Sequence, residues 1–255
     1  MADGMRSVLD RLDAVITLER ARLLGLIVLA ALGLCALATV GAALIWPGWI
    51  PHFGQDFGAS WIAARLWLEG RPEAAFDPQL FFEMQAQAFG VKDVLLWHYP
   101  PTWHLLIAPF GALPFAPALL IYLALSLAVW LTLAARFQPV SAPLLFAVVA
   151  LSGPVWMCLS QGQNGLLVGA ALGAVFLGIR DDRPWLFGIA TALLLIKPHF
   201  GVLIPVILAA RGRWDLFAWA AGGCAAFLVA ATLAMGPGYW PAFLENGITL
   251  AGAVG

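Results

Sequence analysis

Apolar residues fill this chain in long blocks, and the sparse polar positions mark where each block ends. Residues 23–55 carry no charge at all. About 20 apolar residues span a bilayer's hydrocarbon layer, so 23–46 predicts a membrane-spanning helix, with Trp46 and Trp49 at its far interface. Ahead of it, Arg6, Arg11 and Arg20 share a helical pattern with Val8, Leu12, Val15 and Ile16. That is the spacing of an amphipathic helix lying on a membrane. With Arg22 it forms the most basic juxtamembrane segment, which assigns 1–22 to the cytoplasmic side. The leader is too long, and mixes Asp with Arg too freely, for a cleaved signal peptide.

Residues 47–100 differ: charges are frequent, yet apolar side chains stay dense. Two helices are expected here. One runs from Phe57 to Glu69 and stops at Gly70-Arg71-Pro72. The other opens on Asp77 as N-cap and Pro78 as first helical residue, and closes on Gly90. Both read as amphipathic helices on the outer membrane surface. Beyond residue 100 the apolar blocks return, with Arg136 the sole charge between 101 and 179. Blocks at 101–113, 115–136, 141–159, 164–180, 184–210 and 214–235 follow, giving about seven crossings in an all-α polytopic membrane protein. An alternative topology makes 101–113 and the two halves of 184–210 re-entrant. The domain plan is thus a cytoplasmic segment 1–22, a transmembrane module 23–235 with its outer loop at 47–100, and 236–255 as the truncated start of a second outer loop.

Composition agrees with this. The chain is 62% hydrophobic and 11% charged, where a soluble domain is about 25% charged, and its mean hydropathy is +0.91. A net charge of −1 gives no reason to expect nucleic acid. Cys35, Cys158 and Cys224 all lie in apolar runs, which suits neither a disulfide framework nor a metal cluster. No metal and no cofactor is expected.

A few residues sit where their chemistry is expensive. Asp56 follows the first apolar block directly, among aromatics. It could N-cap a helix starting at Phe57, accepting from the amides of Gly58 or Ala59. It could also be a general base at the membrane–water boundary, where an apolar wall raises a carboxylate's proton affinity. Lys197 is the only charge between 184 and 210, and Pro198 breaks the helix beside it. An ammonium in that setting costs at least about 2.5–3.5 kcal/mol, so it is a functional candidate unless it snorkels to the interface. An anionic lipid phosphate is its simplest partner, with His199 as neighbour. In "WHYPPTWH" (97–104), His98 and Tyr99 either anchor the interface or form a substrate rim. In "SQGQNG" (160–165), Gln161, Gln163 and Asn164 either turn the chain and glue helices, or extend that rim.

The order of an Asp after the first helix, "AARLWLEGRP", "YPP" with "APFGALP", "GQN", "RPWLFGIATALLLIKP" and "RGRW" resembles the bacterial glycosyltransferase family 87. These are integral-membrane enzymes that include polyprenyl-phosphate-mannose-dependent mannosyltransferases. The resemblance covers roughly residues 22–245. It implies a GT-C fold in the bacterial cytoplasmic membrane, with Asp56 as the catalytic base. It also implies a polyprenyl-phosphate sugar as donor and transfer to a lipid or glycan acceptor at the outer face. Lys197 would meet the donor phosphate, with Arg65 or His199 as alternatives. The short second outer loop allows a homo-oligomer or a partner subunit to complete the site. Two other classes compete with this one: a lipid or small-molecule transporter, and a structural subunit of an envelope-assembly complex.

Overall fold

The structure is a computed structural model, and it describes residues 53–90, 95–134, 136–137 and 152–253. The predicted surface segment 5–20 and the predicted span 23–46 lie outside the described residues, as does most of the block 141–159. Every regular element among the described residues is helical. They are α1 (Gln55–Leu68), α2 (Pro78–Phe89), α3 (Pro101–Ile107), α4 (Phe115–Ala134), α5 (Gly153–Gln161), α6 (Gly165–Arg180), α7 (Pro184–Leu193), α8 (Ile204–Ala210), α9 (Trp214–Met235) and α10 (Tyr239–Ala253). Short 3₁₀ turns lie at Pro72–Phe76, Ala108–Ala112, Leu194–Ile196 and Pro198–Phe200.

Two of these helices are long and apolar enough to cross a membrane: α4, with 20 residues, and α9, with 22. Each exposes large apolar side chains outward, among them Leu120 and Leu125 on α4 and Trp219 and Leu233 on α9. The apolar helix α6 is shorter, and the block 184–210 divides into α7, two 3₁₀ turns and α8. The block 101–113 folds as α3 plus a 3₁₀ turn. At about 1.5–2 Å per residue, this is too short for a hydrocarbon layer of about 30 Å. Of the seven expected crossings, two are full-length helices among the described residues, while 23–46 and most of 141–159 lie outside them. Pro109 and Pro114 explain the first shortfall and Pro198 and Pro205 the second, since a helix cannot pass an internal proline without losing a backbone bond.

The caps of α2 follow the local rules. Asp77 Oδ1 accepts from the amides of Gln79 (3.0 Å) and Leu80 (3.2 Å), Pro78 starts the helix, and Gly90 ends it in the left-handed region. The helix α1 departs from expectation: it is central, not a surface helix. Nine of its residues are buried, from Phe57 through Leu66. They pack against α3, the turn at Ala108–Ala112 and Tyr122 of α4, with Phe57 stacked on Tyr122 at 4.7 Å. A second core joins α6, α7 and α9 around Phe187, Leu194 and Leu216.

The segment 236–255, read as a loop leading to a helix, holds the helix α10, which packs on the strap at 97–104. Tyr239 is fully buried; its hydroxyl accepts from Trp97 Nε1 at 2.9 Å and lies 3.1 Å from His104 Nδ1. Asn246 donates to the Trp97 carbonyl at 2.8 Å.

Candidate active site

The site forms where the start of α1 meets the loop between α5 and α6. Gly54 caps α1 from the left-handed region, at φ 74°. A Cβ there would come within 2.7 Å of Leu119, so both the backbone angle and the space call for glycine. Its amide donates to the Ser160 carbonyl at 2.7 Å. Across the junction, Gly162 ends α5 at φ 69°, and a Cβ on it would lie 2.6 Å from that of Phe57. This close crossing brings the 160–164 loop against the first turn of α1.

Asp56 lies in that first turn, half-buried. The expected capping role is not the one it has, because Gly54 is the N-cap and no side chain caps this helix. A carboxylate in the first turn still complements the positive end of the helix dipole. The Asp56 charge acts on Tyr99, Tyr122 and Cys158. Tyr99, in the strap before α3, has its hydroxyl pushed up to about 12, mostly by burial and then by the Asp56 charge, with the Asn164 amide pulling the other way. It therefore stays a protonated donor at any working pH.

Lys197 belongs to the broken block 184–210. It stands between the two 3₁₀ turns at 194–196 and 198–200, half-buried, at φ −135° and ψ 82°. The break frees backbone carbonyls, and Thr102 Oγ1 of α3 donates to one of them, on Leu195, at 2.8 Å. That bond ties the YPP strap to the broken helix. The Lys197 charge acts on Cys158, as the Asp56 charge does. So the two groups, separated by most of the described chain, both act on one thiol.

The remaining expected residues divide. Tyr99 and Asn164 join Asp56, and Asn164 is buried. Gln161 and Gln163 flank the crossing, half-buried. His98 is exposed, stacked on Tyr99 at 4.5 Å, with its Nδ1 3.1 Å from the Leu96 carbonyl. His199 is exposed beside Lys197 and packs on Phe200. Arg65 stands apart from Asp56. It is exposed over the Trp61 ring at 5.1 Å, about 13 Å along α1 from Asp56 by helical rise.

Three participants went unnoticed in the sequence. Tyr122 and Ser126 stand one helical turn apart on α4, among apolar neighbours, and that spacing was a readable signal. Cys158 had none, because it looks like any apolar-run cysteine. Both residues of the α4 pair help to line an apolar groove of about 320 Å³, with Trp103, Phe110, Leu167 and Ile196. Ile196 adjoins Lys197, so the groove runs up to the ammonium's segment. Among the described residues no cluster of His, Cys, Asp or Glu could hold a metal ion.

Comparison with known proteins gives one match. The model of glycosyltransferase family 87 matches residues 97–254, more than half of the chain. The matched stretch includes Tyr99, Asn164 and Lys197, and Asp56 precedes it. Among curated proteins and among solved structures nothing matches.

Proposed function

The chain belongs to glycosyltransferase family 87, and from that premise we propose that it moves a sugar, mannose in the first instance, from a polyprenyl-phosphate donor to the hydroxyl of a lipid or glycan acceptor. In this reading the described helices and the apolar segment 23–46 belong to a GT-C-like membrane module. The short broken elements line a cleft between full-length spans, which opens at the outer face of a bacterial cytoplasmic membrane.

The observation that carries the reading is a pair of ties: the Gly54–Ser160 bond sets the Asp56 turn against the 160–164 loop, and the Thr102–Leu195 bond holds the YPP strap to the Lys197 break, beside an apolar groove that Ile196 helps to line. A polyprenyl chain suits a groove of that lining, and its phosphate would then meet Lys197. Asp56 would accept the acceptor hydroxyl's proton as that oxygen bonds to the anomeric carbon. The bond from that carbon to the phosphate oxygen breaks, and polyprenyl phosphate departs with the electron pair. Lys197 offsets the charge growing on it. A single displacement of this kind inverts the anomeric centre. The leaving phosphate needs no proton, so one carboxylate suffices.

The test uses the full chain in lipid nanodiscs with polyprenyl-phosphate mannose and a lipid extract as acceptor source. Asp56→Asn should lower transfer by about 10²–10⁴-fold and Lys197→Ala by about 10²–10³-fold, both at normal expression. Full transfer by Asp56→Asn would sink the mechanism and favour the transporter or structural-subunit reading.

A further inference from the structure

Asn164 holds the N-cap position of α6, where asparagine is among the preferred residues because its side-chain oxygen satisfies a first-turn amide. Here it does not do so: no side-chain cap is formed. The Cys158 sulfur instead lies against this first turn, beside Gly165. A Cβ on Gly165 would stand 2.7 Å from that sulfur, so the thiol fills the capping space. The carboxamide of Asn164 is thereby released from its usual task. It is 2% exposed, and both its Oδ1 and its Nδ2 are buried without a hydrogen-bond partner. Leaving a buried polar group unpaired is unfavourable enough that native structures rarely do it without reason. The Tyr99 hydroxyl is near enough to feel this amide, though short of a hydrogen bond, and it feels the Asp56 charge as well.

Resting on the transferase reading above, we propose that Asn164 is a specificity-determining residue that pairs with a hydroxyl of the donor sugar, with Tyr99 as its companion. An amide with both donor and acceptor free matches a group that also donates and accepts. Among the groups in a polyprenyl-phosphate sugar, that description fits a sugar hydroxyl. An ionised phosphate only accepts, and would leave Oδ1 unpaired against like charge. The phosphate is left to Lys197, and the sugar to the Asp56 side, where Tyr99 feels both the Asp56 charge and the Asn164 amide. Because the site's polar atoms are already desolvated, a donor lacking the matching hydroxyl forfeits the bond with nothing to replace it, which is the condition for strong discrimination.

The experiment has a turnover arm and a turnover-free arm. In nanodiscs, the full chain and its Asn164→Leu variant are each given polyprenyl-phosphate mannose and its monodeoxy analogues. For the wild type, one monodeoxy donor should transfer at least about 10-fold more slowly than the parent. For Asn164→Leu, the parent should fall to that donor's rate and the gap between them should close. An equal parent-to-analogue ratio in both proteins, at every position, would overturn the proposal. The thermal midpoint of the ligand-free protein gives the second arm. Replacing an unpaired buried amide by a similar-sized apolar group should leave the midpoint unchanged or raise it by about 2–4 °C. A fall of several degrees would make Asn164 a structural residue and overturn the proposal. Should the wild type transfer from none of these donors, the functional reading fails, and the thermal arm still decides whether Asn164 is structural.

Discussion

Around α1, side chains reach across elements with directional bonds. Trp61 donates to the Leu113 carbonyl, Trp67 to that of Ala234, and Trp103 to the Ser60 hydroxyl, at 2.9, 2.9 and 3.2 Å. Between α7 and α9 no side-chain hydrogen bond is found among the described residues. Contact there is backbone on backbone: a Cβ on Gly188 would lie 2.6 Å from the Trp219 carbonyl oxygen, and one on Gly223 2.7 Å from that of Gly188. Small residues that let helices approach this closely are a usual means of association in a bilayer, where burial of apolar surface against lipid tails offers little. The difference teaches where orientation matters. The half that carries Asp56, Tyr99 and the Lys197 break is held in angle as well as in distance, while the α7–α9 contact is held by proximity alone.

Crowding the close-packed half gives the largest effect. Gly188→Leu must push α7 off α9 and should cost about 3 kcal/mol, a drop on the order of 10 °C in thermal midpoint. Turnover per folded molecule should survive, and a selective loss of turnover without destabilisation would erase the contrast.

Acid should act on the bonded half. His104 is fully buried in the short helix α3, which is not one of the two full-length spans. Its Nε2 must carry the proton donated to the Ala63 carbonyl at 2.7 Å, since a carbonyl only accepts. Burial lowers its pKa from 6.5 to about 4, against a smaller opposite effect of the Ala63 bond. Between those values the unfolded chain binds a proton that the folded chain refuses. The stability contribution is therefore whole above pH 6.5 and falls as pH drops, by about 3 kcal/mol near pH 4. Thermal midpoints across that window check this, and His104→Gln should flatten that part of the slope.

Next in size is Tyr239→Phe, which leaves Trp97 Nε1 and His104 Nδ1 without their shared partner. It should cost about 1–3 kcal/mol. It should also slow transfer, because the same hydroxyl lies 3.1 Å from the Tyr99 carbonyl. A double-mutant cycle with Trp97→Phe should show coupling; additive effects would mean the network is not a unit. The smallest effect belongs to Thr191→Val, in the close-packed half. Its hydroxyl is buried and unpaired, so the change should be neutral or stabilising by up to about 1 kcal/mol. A clear loss would reveal a bond in that half.

Local signals were legible in the chain and distant ones were not. The Asp77, Pro78 and Gly90 punctuation of α2 needs only adjacent residues to read, and the structure follows it. Lys197 and Asp56 stood out because a charge in an apolar run is conspicuous. The central position of α1 was hidden, because Glu69 and Arg71 at its end suggest a wet surface, and its burial depends on α3 and α4 further along. The cap on Asp56 was misjudged for the same reason. Gly54 takes that position because Leu119 crowds it and its amide bonds to Ser160, about a hundred residues away. Thr102 gave no sign of its partner, as Leu195 only offers a carbonyl once Pro198 has opened the helix.

Helix α1 is fastened at both ends, by the Gly54 amide on Ser160 and by the Trp67 indole on Ala234 near the end of α9. A rod clamped in this way has a fixed length. One residue added between the clamps would advance the far part by about 1.5 Å and turn it by about 100°, so one anchor or the other would miss. Helix α1 therefore works as a ruler: it sets how deep Asp56 stands beside the apolar spans, and its residue count is a dimension of the site.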